Sequence, residues 1–331
     1  MTQARPAPLA SAPAAPRIDY TFAPTAELLC QPGTLAVLGF DDVDVAGADD
    51  PRCLSLALPG LDVRTAREHW RVDALVRHGR SDGVNWASGG GWLFAGVCIS
   101  EGDHGDDIGG CAEQAYRILC TFLSAQAGGC HVQRIWNYLD RINEGEGDAE
   151  RYKHFCSGRL RGMGTFFDAG FPAATAIGQP HASGQLTVYC LAADQSGERI
   201  ENPRQMSAWR YPRQYGRTPP SFARAMLLPA RDALAISGTA AITGHTSRHH
   251  DDLAAQLAEV RTNIETLLVS AGLPAGLDAA APLKVYLRHP QDVEQVAEFF
   301  ARGLPQVPYV LLQGDVCRRE LLVEIDGWRY A

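Results

Sequence analysis

The chain has 331 residues, 46% hydrophobic and 21% charged, the proportions of a globular protein with ample core for two or three domains. A formal charge of −8 disfavours nucleic acid and anionic membrane as partners, so a small anionic substrate needs a local arginine cluster to be captured. No run of ~18 apolar residues is available for a spanning helix, and nine cysteines without a C-x-x-C pair read as reduced core thiols of a cytosolic protein.

Residues 1–17 are rich in Ala and Pro and lack a secretory apolar segment, which predicts a disordered tail. Over 18–69, strand-like 34–40 and 54–58 flank an Asp/Gly/Pro-rich loop at 41–52, with no helical periodicity, and predict a small β-rich N-terminal domain. A central domain, 70–200, reads as strands at 72–77 and 91–98, a helix at 112–127, a strand at 131–139, a helix at 149–160, and strands at 173–177 and 185–191. After a linker at 201–220, a C-terminal domain, 221–331, reads as strands at 222–228 and 233–238 and a helix at 252–271 with Gly272 just past its end. A strand at 283–287, a helix at 292–302 and a closing hairpin of 307–312 with 320–326 complete it.

The element order of the central domain thus returns in the C-terminal one. Details repeat too: Thr121-Phe-Leu-Ser-Ala mirrors Thr266-Leu-Leu-Val-Ser-Ala, Gln114 mirrors Gln256, and Phe155-Cys-Ser-Gly158 mirrors Phe300-Ala-Arg-Gly303. Two copies of a β-rich unit with helices on one face imply side-by-side packing with a cleft between them, where ligands favour binding. The linker, carrying Trp209, Arg210, Tyr211, Tyr215 and Arg217, is the expected wall of that cleft.

The run Glu320-Leu-Leu-Val-Glu324-Ile-Asp326 holds the strongest candidate for chemistry. As a strand it points Leu321, Val323 and Ile325 to one face and Glu320, Leu322, Glu324 and Asp326 to the other, setting Glu324 in mid-strand. A carboxyl among apolar groups is desolvated, its pKa rises, and it becomes able to deliver a proton near neutrality. Other signals are weaker. His245, His249, His250, Asp251 and Asp252 lack catalytic-zinc spacing and read as a loop leading to a helix N-terminus, and Gly89-Gly-Gly91 reads as a tight turn.

The C-terminal copy resembles the RidA/YjgF fold, an α+β unit that assembles as a trimer. The likeness rests on Ile236-Ser-Gly-Thr239, the helix with Gln256 and Asn263, Val285-Tyr-Leu287, Pro308-Tyr-Val310 and Val323-Glu-Ile325. In that family a Glu of the last strand lines the cleft between subunits, which Glu324 matches. The deaminases' carboxylate-binding Arg falls near Tyr309 here, which argues against imine deamination.

From about residue 20 onward, the chain is more closely similar to the chorismatases. The stretches are Arg134-Ile-Trp-Asn-Tyr-Leu139 with Ile142-Asn143, Glu150-Arg-Tyr-Lys-His-Phe-Cys-Ser-Gly-Arg159, Tyr211-Pro-Arg-Gln-Tyr-Gly216, Phe222-Ala-Arg224, Ser237-Gly-Thr-Ala240 and the Glu324 strand. This resemblance implies an α+β chain of RidA/YjgF-like domains in a pseudo-threefold arrangement, with mixed sheets and helices on one face, the N-terminal segment being the most diverged third. It implies a monomer that acts on chorismate without a cofactor.

Glu324 then matches the family's proton donor. Arg159 and Arg224 match positions that hold substrate carboxylates, and Tyr152, Tyr211 and Tyr215 match substrate contacts. Gly238 and Ala240 match substrate-binding positions as well; Ala240 and Cys317, the second catalytic candidate, fall at the small pocket that separates subtypes, and Cys317 resembles the type forming 3-hydroxybenzoate, with 4-hydroxybenzoate in some members. Two alternatives stay open: a hydrolytic chorismatase giving pyruvate and a dihydroxycyclohexadiene carboxylate, and a RidA-like binding protein without turnover.

Overall fold

The computed structural model describes residues 12–62, 65–126, 129–181 and 183–331. The chain builds three sheets in succession. The N-terminal unit holds β1 (Arg17–Thr21), α1 (Thr25–Leu29), β2 (Thr34–Phe40), α2 (Val43–Ala46), β3 (Cys53–Leu56) and β4 (Arg67–Arg71). The middle unit holds β5 (Arg77–Ser81), β6 (Val84–Gly89), β7 (Trp92–Ser100), α3 (Ile108–Ser124), β8 (His131–Asp140), α4 (Arg151–Met163), β9 (Ala173–Gln179) and β10 (Gln185–Ala193). The C-terminal unit holds β11 (Glu198–Ile200), β12 (Ala225–Leu227), β13 (Ala233–Ala240), the small ribbon β14 (Ile242–Thr243) and β15 (Thr246–Ser247), and α5 (Leu253–Ser270). It continues with β16 (Leu283–Leu287), α6 (Val293–Gly303), β17 (Tyr309–Gln313) and β18 (Val323–Tyr330).

The sheet orders are β1-β4-β2-β3, β5-β6-β7-β10-β8-β9 and β11-β12-β13-β18-β16-β17. Each ends on the same four-strand motif: the unit's last strand lies between two antiparallel neighbours, and the outer pair is parallel. A helix joins the motif's first two strands and another crosses over between the parallel pair, as parallel pairing requires. Three copies of one topology in one chain give the α+β, pseudo-threefold arrangement expected above. In the N-terminal copy the helices shrink to five and four residues.

Strand alternation decides what each face meets. In β18, Val323 and Ile325 pack on the helices, whereas Glu324, Asp326, Trp328 and Tyr330 point to the centre of the molecule. In β10, Leu186, Val188, Cys190 and Ala192 face the helices while Tyr189 and Leu191 face the centre. One tryptophan from each unit meets there, with Trp70–Trp136, Trp136–Trp328 and Trp70–Trp328 ring centroids 5.3, 6.1 and 6.3 Å apart.

Several expectations need correction. β17 and β18 form no hairpin: β17 pairs in parallel with β16, and β16 separates it from β18. β18 starts at Val323 and continues to Tyr330, so Glu324 is its second residue and Glu320 to Leu322 precede it. Residues 72–76 connect β4 to β5, which begins at Arg77, and the 69/70 boundary cuts through β4. The N-terminal unit has two helices too short to show a period. Of the predicted disordered tail, residues 1–11 lie outside the described residues. The rest is docked: Trp92 Nε1 donates to the Ala14 carbonyl at 2.7 Å and the Tyr330 hydroxyl to the Pro16 carbonyl at 2.7 Å. Gly90 and Gly91 make the expected tight turn between β6 and β7, both at positive φ.

Candidate active site

A cavity of about 360 Å³ opens between the middle and C-terminal units, with β9 and α4 on one side and β13, β18 and the segment 317–320 on the other. Glu324, Cys317, Tyr152, Arg159, Tyr211, Tyr215, Arg224, Gly238 and Ala240 all line it.

The acid is set by a break in strand pairing. The register of β13 against β18 shifts between Ile236 and Thr239, a bulge of the kind that re-aims side chains beside functional sites. Ser237, in the bulge, accepts from Ala174 N at 2.9 Å and donates to the Ala223 carbonyl at 2.6 Å, tying β9 to the C-terminal unit. Gly238, beside it, leaves room for the carboxyl: a Cβ there would stand 1.9 Å from Glu324 Oε1. Glu324 is 5% exposed, and burial with the neighbouring Asp326 carboxylate pushes its pKa up to about 8 against the pull of Arg134 and Arg224. Its carboxyl therefore holds a proton at neutral pH.

The cations come from two units. Arg159 and Tyr152 lie on α4, which approaches α3 closely because Gly158 has no side chain: a Cβ there would be 1.9 Å from the Gly109 carbonyl oxygen. Arg159 lies over the Tyr116 ring at 5.2 Å, with Nε and Nη2 buried and without a hydrogen-bond partner. Arg224 donates through Nη2 to the Met206 carbonyl and the Tyr211 hydroxyl, both at 2.7 Å, and its Nε has no partner. Neither guanidinium is ion-paired among the described residues. On the cavity wall, these free guanidinium donors are suited to an anionic ligand.

From the linker, Tyr211 and Tyr215 pack with ring centroids 5.3 Å apart. Arg318 lies 3.9 Å over the Tyr215 ring, held by donating to the His245 carbonyl at 2.9 Å and Ser247 Oγ at 3.0 Å. At the mouth, Asp148 accepts from Arg213 at 2.8 and 2.7 Å and from Arg217 at 3.2 Å, pinning the linker to the segment before α4. Cys317 and Ala240 flank Glu324, Ala240 as its register partner. Burial and the Glu324 carboxylate hold the Cys317 pKa up at about 12, so it is a neutral thiol wall rather than a nucleophile.

Sequence reasoning missed Arg318, Thr175, Phe222 and Lys153, which also line the cavity. Arg318 and Arg319 stand directly after Cys317, and that dibasic step was the available signal. The histidine cluster behaves as the loop expected: His245 Nδ1 lies 3.3 Å from the Tyr215 hydroxyl, and Asp252 caps α5 by accepting from Ala255 N at 3.0 Å. No group of three metal-ligating side chains occurs among the described residues.

Among the described residues, only the C-terminal unit carries a carboxyl at this strand position. Glu324 is paired with Tyr286; the same place in the middle unit, paired with Tyr138, is Thr187. In the N-terminal unit, Glu68-His-Trp70 repeats the spacing of Asp326-Gly-Trp328, and two residues earlier stands Ala66.

A family model described as chorismatase FkbO/Hyg5-like, N-terminal, matches residues 68–192. A 3-hydroxybenzoate synthase of Streptomyces hygroscopicus is 37% identical over 280 residues, 78% of this chain and 80% of that protein. A chorismatase of Streptomyces rapamycinicus is 37% identical over 277 residues, 78% of this chain and 81% of that protein. A chorismatase crystal structure at 1.08 Å resolution, 28% identical, superposes with a TM-score of 0.81 over 96% of this chain and 99% of that one. With this likeness extending along most of both partners' length, the chain belongs to the chorismatase family.

Proposed function

We infer that the protein cleaves chorismate to pyruvate and 3-hydroxybenzoate, with Glu324 as the proton donor. The observation that carries this reading is one cavity holding a carboxyl whose burial favours its protonated form together with two arginines whose donors are unsatisfied. Chorismate offers the complement: two carboxylates and an enolpyruvyl ether. Arg159 and Arg224 take the carboxylates and fix the ether against Glu324. Proton transfer from Glu324 to the terminal methylene carbon gives an oxocarbenium ion beside the newly formed Glu324 carboxylate, which stabilises it.

The ring hydroxyl on C4 then attacks C3 as the C3–ether bond breaks, releasing pyruvate and passing the hydroxyl proton back to Glu324. Opening of the resulting epoxide at its C4–O bond, with loss of the C3 proton and protonation of the oxygen, gives the aromatic 3-hydroxy acid with no water consumed. The atoms of chorismate equal those of pyruvate plus 3-hydroxybenzoate, so the step balances without a cofactor. Cys317 and Ala240, neutral walls beside Glu324, favour this internal course by presenting nothing that orients water. One chain supplies every wall, so a monomer suffices. No helix among the described residues is long and apolar enough to cross a membrane.

The test is incubation of purified protein with chorismate, resolving products by chromatography with ultraviolet and mass detection. Aromatic hydroxybenzoate with equimolar pyruvate is expected. A non-aromatic diol with pyruvate assigns the hydrolytic course instead, and chorismate decaying only at its spontaneous rate overturns the reading.

A further inference from the structure

Charge as well as aromatic surface occupies the centre where the three units meet. Glu68 on β4, Arg134 on β8, Lys284 on β16 and Asp326 on β18 are each at most 1% exposed. Asp326 is used unevenly. Its Oδ2 accepts from the Thr175 hydroxyl at 2.8 Å, the Tyr286 hydroxyl at 3.0 Å and Trp136 Nε1 at 3.1 Å, with Arg134 Nη2 3.2 Å away. Its Oδ1, like Glu68 Oε2, has no partner of hydrogen-bond geometry, and the Lys284 ammonium stands 3.9 Å from it, against 2.9 Å from Glu68 Oε2.

An ammonium that near a bare carboxylate oxygen normally closes the gap. Here it is held from the other side: Lys284 Nζ is 2.9 Å from Glu68 Oε2, over the Trp136 ring at 4.8 Å and 3.4 Å from the Tyr189 hydroxyl. Glu68 is itself fixed by Trp70 Nε1, which donates to Oε1 at 2.7 Å. Asp326 follows Glu324 by two residues on the same strand face, and its partner Thr175 lines the cavity. A chain of charges therefore runs from β4 to the acid.

We propose that Glu68 is a positioning residue for the proton-donor site: by anchoring Lys284 it keeps the ammonium off Asp326, whose incompletely neutralised carboxylate keeps the proton on Glu324. The N-terminal unit, none of whose described residues lines the cavity, thereby sets the charge state of the acid. The proposal rests on Glu324 being that acid. The other titratable or charged groups around Glu324 are Asp326 on its own strand, Arg134 from β8, Arg224 from the segment before β12, Tyr152 from α4 and Cys317 from the segment before β18. Of these, Asp326 is the one that Glu68 reaches, through Lys284.

The charges Glu68, Lys284, Arg134 and Asp326 sum to zero. Glu68→Gln leaves a net positive cluster and frees Lys284 to close on Asp326 Oδ1, and both effects favour the ionised Glu324. Lys284→Met leaves a net negative cluster and favours the protonated form. The double variant Glu68→Gln/Lys284→Met returns the sum to zero.

The experiment uses the full chain and two readouts: the pH dependence of kcat/KM for pyruvate release from chorismate, and infrared titration of the Glu324 carboxyl without substrate, with Glu324→Gln as the blank. The expected result is opposite shifts of the Glu324 midpoint, down by about one pH unit in Glu68→Gln and up in Lys284→Met, with the double variant near the parent. A one-unit drop is about a tenfold loss of kcat/KM above the midpoint and little loss well below it. Wild-type midpoints in folded single variants, even with activity lowered equally at every pH, overturn the proposal. Should Glu68→Gln fail to fold, Lys284→Met decides: no upward shift overturns it. The infrared readout needs no turnover, so a parent protein inert toward chorismate refutes the function proposed above without deciding the coupling.

Discussion

Glu324 and Gly238 act as a pair, and each makes a prediction. Glu324→Gln keeps the shape and the hydrogen-bonding capacity but has no acidic proton, so kcat for pyruvate release is expected to fall roughly 10²- to 10⁴-fold with chorismate binding retained, read by calorimetry beside turnover. In the parent, kcat/KM is expected to be flat below about pH 8 and to decline above it as the acid ionises, which a pH–rate profile of pyruvate release would show. The same proton has a stability sign. Because the folded pKa lies above the ordinary value of 4.5, the folded state keeps a proton that the unfolded state releases between about pH 4.5 and 8. Stability from this group therefore falls as pH rises through that window, and Glu324→Gln is expected to flatten the fall in urea midpoints measured across it.

Gly238→Ala puts a methyl where the Glu324 oxygen lies, and the displaced carboxyl is expected to lose on the order of 10²-fold in kcat while the fold is kept, as circular dichroism would show. At this scale the sequence showed a great deal. Glu324 stood out from the alternation of its strand, whereas Arg159 and Arg224 came only from the family resemblance; all three line one cavity. Asp326 and Arg134 were visible as charges within apolar strands, but their joint role depends on β8 and β18 meeting across a unit boundary, which no local pattern encodes.

Among the elements, α4 carries the most consequence. Gly158 and Gly162 let it settle on α3, where added Cβ atoms would lie 1.9 Å from the Gly109 carbonyl oxygen and 2.4 Å from that of Glu113. Gly158→Ala must push the helices apart, which costs about 1–3 kcal/mol by the usual measure of overpacking. It also moves Tyr152 and Arg159 together, so chemical denaturation should show the lost stability and the KM for chorismate should rise more than kcat falls. The long helices and most strands were readable from periodicity, with ends displaced by a few residues. The supposed closing hairpin failed for a physical reason: alternation marks a segment as a strand, but β18 is drawn between β13 and β16 by its two-sided burial, and sequence proximity to β17 says nothing about that. The helices α1 and α2 span about one turn each, too little for a period to register.

Across the whole molecule, the three tryptophans at the centre bind the units into one cooperative body. Trp70→Ala, far from the cavity, is expected to cost about 3–5 kcal/mol and to lower a single unfolding transition in calorimetry; separate transitions for the units would contradict a shared core. The repeat was legible in the middle and C-terminal units because their helices are full length. The N-terminal third was recognised only through family resemblance, since its shortened helices and short strands leave little internal pattern.

The single carboxyl among three equivalent places, Glu324 where the other units have Thr187 and Ala66, changes what variation can do to this protein. In an assembly of identical subunits, any substitution is written into every cleft at once, and a change that suits catalysis must also suit every interface. Here each third drifts on its own. The cleft with the acid can be tuned one residue at a time while the other two interfaces remain devoted to rigidity, so neighbouring specificities become reachable by single steps that an assembly of identical subunits would have to take in triplicate.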